Sequence, residues 1–154
     1  MESFATPPAA SAGELADLAE SILNAAREIR FARFDDERII HLSTSDANVM
    51  RHIDHHPGAT PSDVAQATGL QRSNLSAALR NLEGHGLVER RNDSADRRGV
   101  NLFPTARAAA NLALVRVEWA RKLADALGED REAVTDALLL LRRLERGLIA
   151  ARQS

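Results

Sequence analysis

The chain has 154 residues, 44% of them apolar and 27% charged, which suits one globular domain with extra elements and excludes two large independent ones. It contains no cysteine, so disulfide scaffolds, zinc-thiolate sites, iron-sulfur clusters and thiol-based redox sensing are excluded. The formal net charge of -2 speaks against a phosphate-binding surface until the charges are placed along the chain.

Residues 1–13 carry two prolines, small residues and a single charge, which predicts a loose tail without the basic start and apolar core of a leader peptide. From Leu15 the apolar positions Leu18, Ile22, Leu23, Ala26 and Ile29 follow the rhythm of an amphipathic helix, predicted from about Gly13 to Phe34. Ser43 to Asp46 offer a capping hydroxyl and an acid for the start of a second helix, which His56-Pro57-Gly58 ends near His55. Thr60-Pro61-Ser62-Asp63 then reads as a strong helix start, with Thr60 as cap, Pro61 at the first helical position and Asp63 closing the box. That third helix is short and stops at Gly69-Leu70. A fourth follows at once, burying Leu75, Ala78, Leu79 and Leu82 and ending at Gly84-His85-Gly86. Two short helices joined by three or four residues with a glycine form a helix-turn-helix pattern.

Beyond Gly86 the period falls to about two. Leu87 to Arg91 and Val100 to Phe103 are strand candidates separated by a polar tip, so a β-hairpin is predicted. Pro104 is read as opening a long helix that closes near Gly128, and Glu129 as opening a last one with Val134, Leu138, Leu141, Leu144 and Leu148. The longest apolar run, Ala137 to Leu141, is far below the ~20 residues of a membrane span, so no membrane partner and a cytoplasmic location are expected.

Helix-turn-helix followed directly by a hairpin with an arginine-bearing tip reads as a winged helix, whose second helix lies in the DNA major groove while the hairpin reaches the minor groove. The outer face of the fourth helix offers Gln71, Arg72, Ser73, Asn74, Ser76, Ala77 and Arg80. Arginine pairs with guanine and Asn or Gln with adenine, so these are the candidate major-groove contacts; Ser62 and Arg90 are candidate contacts to the DNA backbone. A merely solvated helix face would more typically carry Glu and Lys. No acid occurs from Gln71 to Leu82.

These residues resemble the MarR-type (multiple antibiotic resistance regulator) winged-helix transcription factors, the likeness being carried by residues 42–108. Its most specific part is Leu82-Glu83-Gly84-His85-Gly86-Leu87-Val88-Glu89-Arg90, followed by the Asp96-Arg97-Arg98 wing. The resemblance implies that Arg98 enters the minor groove, that Asp96 orients it and that Arg97 lies beside it on the backbone. A narrow minor groove does attract arginine, and a carboxylate two residues away can pre-order a guanidinium. Two positions depart from the family's pattern: Ala77, where a basic or polar residue is common, and Phe103, where a capping Thr is usual.

The expected fold is mainly α with a small β-hairpin wing, a winged helix-turn-helix with long N- and C-terminal dimerisation helices. The expected organisation is a tail over 1–13, an N-terminal dimerisation helix and connection over 14–42, the DNA-binding domain over 43–104 and C-terminal dimerisation helices over 105–154. The apolar stripes of the end helices exceed what a small winged core needs, and predict a homodimer on a palindromic operator of double-stranded DNA. The resemblance also implies repression and a small effector, often aromatic or phenolic, without identifying its pocket. His52, His55 and His56 suggest a metal, but histidines near a helix C-terminus also suit the dipole, so no metal and no cofactor are expected. No nucleophile lies in a motif with its base and no glycine-rich phosphate loop occurs, so no enzyme is expected. A metal-dependent sensor and a winged-helix protein-interaction module are the alternatives.

The charges are unevenly placed. From Leu70 to Arg107 seven arginines face four acids, a balance of +3, which leaves 13 basic and 18 acidic residues elsewhere, a balance of -5.

Overall fold

A computed structural model describes residues 9–31, 33–92 and 99–153. The chain divides into two compact units, Met1–Asp35 and Asp36–Ser154. The first contains helix α1, Ala12–Phe31, which buries none of its residues. It stops three residues before the predicted Phe34.

In the second unit, α2 (Thr44–His55), α3 (Pro61–Thr68) and α4 (Arg72–Gly84) pack with the hairpin of β1 (Val88–Asn92) and β2 (Val100–Pro104). The local chemistry explains each start. Ser43 accepts a hydrogen bond from Asp46 N, and Thr60 and Asp63 form a complete capping box with Pro61 at the first helical position. Between α3 and α4 the chain turns at Gly69, whose φ of 69° lies in the left-handed region that a side chain would strain.

The core of this unit gathers residues from α2 through the start of α5: Val49 and Ile53 of α2, Val64 of α3, Leu75, Ala78, Leu79 and Leu82 of α4, then Leu87, Val88, Leu102 and Ala108. Ile53, Leu82, Leu87, Leu102, Val49 and Val64 are fully buried, each contributing about 1.5 to 3 kcal/mol in transfer from water. The α4 face anticipated from sequence is the one buried. The antiparallel strands pair Val88 with Pro104 and Asn92 with Val100; β1 lies one residue later than the sequence suggested, because Leu87 is spent on the core before the ladder begins, and β2 starts at Val100 as expected but runs one residue further. An isolated bridge between Ala59 and Leu102 ties the α2–α3 connection to β2.

Helix α5 runs Ala106–Leu127 and α6 runs Val134–Gln153. Both starts differ from expectation. Pro104 ends β2, and Thr105 caps α5 by accepting from Ala108 N at 3.2 Å while its hydroxyl donates to Gly86 O at 2.7 Å. The capping Thr is therefore present, and Phe103 is a strand residue. Glu129 does not begin α6 because residues 128–133 are consumed in turns around Arg131. Its Nε donates to Gly128 O at 2.8 Å and Nη2 to Ala124 O at 3.4 Å, the latter an oxygen that also accepts from Gly128 N at 3.0 Å, so the side chain caps the end of α5. Every described side chain of α6 is exposed, including Leu138, Leu139, Leu140, Leu141, Leu144 and Leu148. Among the described residues no helix is long and apolar enough to cross a membrane.

Candidate nucleic-acid interface

Helix α4 is anchored through Leu75, Ala78, Leu79 and Leu82, which leaves the opposite face outward. Gln71, Arg72, Ser73, Asn74, Ser76 and Arg80 are all exposed, whereas Ala77 is half-buried. Ala77 therefore presents at most part of a methyl group. Gln71 occupies the N-cap with extended backbone, yet its side chain makes no capping hydrogen bond. The first turn contains no acid, so the positive end of the helix and its unpaired N–H groups face outward beside a free carboxamide, a favourable setting for a phosphate oxygen. Ser76 Oγ donates to Arg72 O at 2.9 Å, so its proton is spent within the helix and its oxygen is left to accept.

The basic residues of this surface fall into two groups. Arg90 Nε and Nη2 bond the two oxygens of Glu83 at 2.6 and 3.2 Å, joining β1 to the last turn of α4. Arg91 bonds Glu89, with Nε to Oε1 at 2.9 Å, and its guanidinium carbon lies 4.4 Å from the centre of the Phe103 ring. Arg72, Arg80 and Arg107, by contrast, have no carboxylate partner among the described residues. Two wing-strand arginines are thus neutralised by the two acids beside them, and the positive balance belongs to α4 and the start of α5. Arg90 keeps its Nη1 edge for a further acceptor. Ser62 is exposed on the first turn of α3. Asp96, Arg97 and Arg98 lie outside the described residues.

Residues 42–99 match the model of the MarR family. The chain is also similar to a solved transcriptional regulator protein from Pseudomonas aeruginosa PA01, at 28% identity and a TM-score of 0.67 over 86% of this chain and 94% of that one. Over residues 42–99 the chain therefore carries the sequence pattern of the MarR family, and its fold is similar to that of winged-helix transcriptional regulators. Two further structures similar to it were determined with DNA. The transcriptional repressor CouR, bound to a 23-mer duplex, is 28% identical with a TM-score of 0.54 over 88% of this chain and 99% of its own. Streptococcus pneumoniae FabT, in complex with DNA, is 25% identical with a TM-score of 0.55 over 90% and 99%. No curated protein sequence matches the chain.

Sequence reasoning missed three features of this surface. The Glu83 to Arg90 fork spans seven residues and two elements, so no local periodicity signals it. The stacking of Arg91 on Phe103 follows from the pairing of Glu89 with Phe103 across the hairpin, which places Arg91 diagonally beside the ring. The double use of Thr105 was readable in principle, since Thr is a preferred cap, but Pro104 drew the expected helix start two residues forward of Ala106.

The histidines suggested as metal ligands take a different arrangement. His52 and His56 stack with ring centres 4.6 Å apart and planes inclined by 34°. Among the described residues no group of three or more His, Asp or Glu side chains is placed to hold a metal ion.

Proposed function

We propose that the chain binds double-stranded DNA sequence-specifically as a homodimer and acts as a transcriptional repressor. The observation that carries this reading is the outward face of α4: six exposed polar or cationic residues, no acid, and a helix fixed by four core side chains. A rigid helix with such a face suits the major groove, where Arg72, Asn74 and Gln71 read base edges and Ser73, Ser76, Arg80 and part of Ala77 contact edges or phosphates. Ser62 and the Nη1 edge of Arg90 serve the backbone. Arg98, oriented by Asp96 and accompanied by Arg97, enters the minor groove in this reading.

The uncovered leucines of α5 and α6 support the dimer. Monomeric proteins rarely expose apolar stripes of this extent, and a second copy of the same helices buries them with two-fold symmetry. Two reading heads then stand about 34 to 36 Å apart, matching half-sites one helical turn apart. Repression follows from occupying a promoter, and a small effector that binds the DNA-incompetent arrangement more tightly releases it. The protein acts in the cytoplasm and catalyses no reaction in this reading.

The test is a salt-matched mobility-shift assay on a selected duplex. Arg72→Ala is expected to relax base preference at one position in each half-site, and Arg98→Ala to weaken binding without dissociating the dimer. Unchanged affinity and preference in both variants would overturn the assignment.

A further inference from the structure

Helix α5 joins two regions of different character. Its first part is bolted to the reading head: Thr105 N donates to Leu87 O at 3.0 Å and Thr105 Oγ1 to Gly86 O at 2.7 Å, just beyond the end of α4. Ala108 sits in the core and Asn111 holds Ile40. Beyond Glu118 no described residue is buried, so the rest of α5 and all of α6 stand outside the core, with Leu123, Leu127, Leu138, Leu141 and Leu144 exposed. The joint that sets the direction of α6 from α5 is the elbow between them, and it is built around Arg131. Gly128 ends α5 with φ 58° and ψ -120°, a conformation that a side chain would strain. Arg131 Nε donates to Gly128 O at 2.8 Å and Nη2 to Ala124 O at 3.4 Å, while its own carbonyl accepts from Val134 N, the first residue of α6, at 3.2 Å. One residue thus holds the last turn of α5 with its side chain and the first turn of α6 with its backbone. Asp125, Glu129, Asp130 and Glu132 lie close in sequence, yet among the described residues the guanidinium pairs with none of them. Its donors are aimed at the helix end.

We propose that Arg131 is a positioning residue that fixes the angle between α5 and α6, and through it the separation of the two reading heads and the half-site spacing the protein accepts. This rests on the homodimeric DNA-binding reading above, in which a second copy covers the apolar stripes of α5 and α6 while the first part of α5 carries the head. The lever is long. The 22 residues of α5 at 1.5 Å each span about 33 Å, so a change of about 10° at the elbow displaces the head by about 6 Å. One base-pair step advances about 3.4 Å and turns about 35°. An unlocked elbow therefore blurs the spacing by more than one step. Arg131 acts through the angle of the strut and not through a contact to DNA, so its loss alters which spacing is read while leaving unchanged which bases are read.

The chain contains no cysteine, so Gln66→Cys at an exposed position of α3 carries one nitroxide per copy. Double electron-electron resonance then reads the distance between the two heads of the full-length protein without DNA. A single narrow distribution is expected. Arg131→Ala is expected to broaden it at least about twofold, and Arg131→Lys, which keeps a donor for Gly128 O, to restore most of the sharpness. Gly128→Ala is a second variant: a Cβ there meets no atom within 4 Å, so it disturbs only the backbone angle of the elbow and should broaden or displace the distribution. On duplexes with half-site centres about 9, 10, 11 and 12 base pairs apart, the parent is expected to lose about tenfold in affinity per step from its optimum and Arg131→Ala about threefold or less, with the same half-site bases preferred. An unchanged distribution in Arg131→Ala, a spacing profile identical to the parent's, or a lost base preference overturns the proposal. Absence of any spin pair would instead remove the dimer on which it rests. A spin pair without duplex binding would sink the DNA reading and leave the elbow's control of head separation standing.

Discussion

Asn111 of α5 grips the backbone of Ile40 from both sides, its Oδ1 accepting from Ile40 N at 2.8 Å and its Nδ2 donating to Ile40 O at 3.5 Å. The contact joins positions 71 residues apart and fixes the segment leading into α2 against the long helix α5. Removing the carboxamide leaves a part-buried N–H without its partner, which costs about 1 to 3 kcal/mol. Asn111→Ala is expected to lower the urea midpoint accordingly, with an unchanged slope. Asn111→Asp, which keeps an acceptor for Ile40 N but sets a carboxylate oxygen against Ile40 O, should fall between the two. An Ala variant as stable as the parent would show that the grip is incidental.

At the start of the same segment, Asp36 is locked to Arg38. Arg38 Nε and Nη2 bond its two oxygens at 2.9 and 2.6 Å and Arg38 N donates to Oδ1 at 2.9 Å. The side-chain bonds first, then the backbone bond, hold the Asp36 pKa down from 3.8 to about 2. A carboxylate with a depressed folded pKa contributes stability above its unfolded pKa, and loses it as pH falls through the folded value. Asp36→Asn should therefore flatten the dependence of Tm on pH between about 4 and about 2, while changing little at neutral pH, where an exposed pair is weakly stabilising. An unaltered acid limb in the variant would contradict this.

The pairing of Arg90 with Glu83 makes the charge of the reading surface adjustable. Glu83→Gln removes the acid and frees the guanidinium, so DNA affinity should rise and the salt dependence steepen by about one unit. Arg80→Ala should do the opposite, weakening binding across all sequences and reducing the slope by about one. Equal slopes for both variants and the parent would mean that neither residue meets the phosphate backbone.

The helix-turn-helix was legible because its signals are local. Thr60, Pro61 and Asp63 specify a start, Gly69 a stop, and the spacing of Leu75, Ala78, Leu79 and Leu82 a buried face, all within about one helix length. The wing was legible as a hairpin but the start of β1 was not, since the burial of Leu87 is decided by the assembled core. Helix boundaries at Thr105 and Val134 were misread for a similar reason: Gly86 O recruits the Thr105 hydroxyl from 19 residues away, and the Arg131 side chain folds back on α5. The candidate site divides along the same line. The composition of the α4 face was readable residue by residue, whereas the half-buried placement of Ala77 and the neutralisation of Arg90 and Arg91 depend on neighbours in space. The charge balance of +3 from Leu70 to Arg107 is correspondingly redistributed, with Arg72, Arg80 and Arg107 left without acid partners.

The most direct test of the central claim is selection of binding sites from a random-sequence duplex pool by the full-length protein, followed by sequencing of the bound fraction. Sequence-specific recognition by a two-fold dimer predicts enrichment of one palindromic motif, its half-site centres about 10 base pairs apart, with enrichment lost at the half-site position read by Arg72 when Arg72→Ala is used. A bound fraction with no enriched motif, or with a motif lacking two-fold symmetry, would contradict the account.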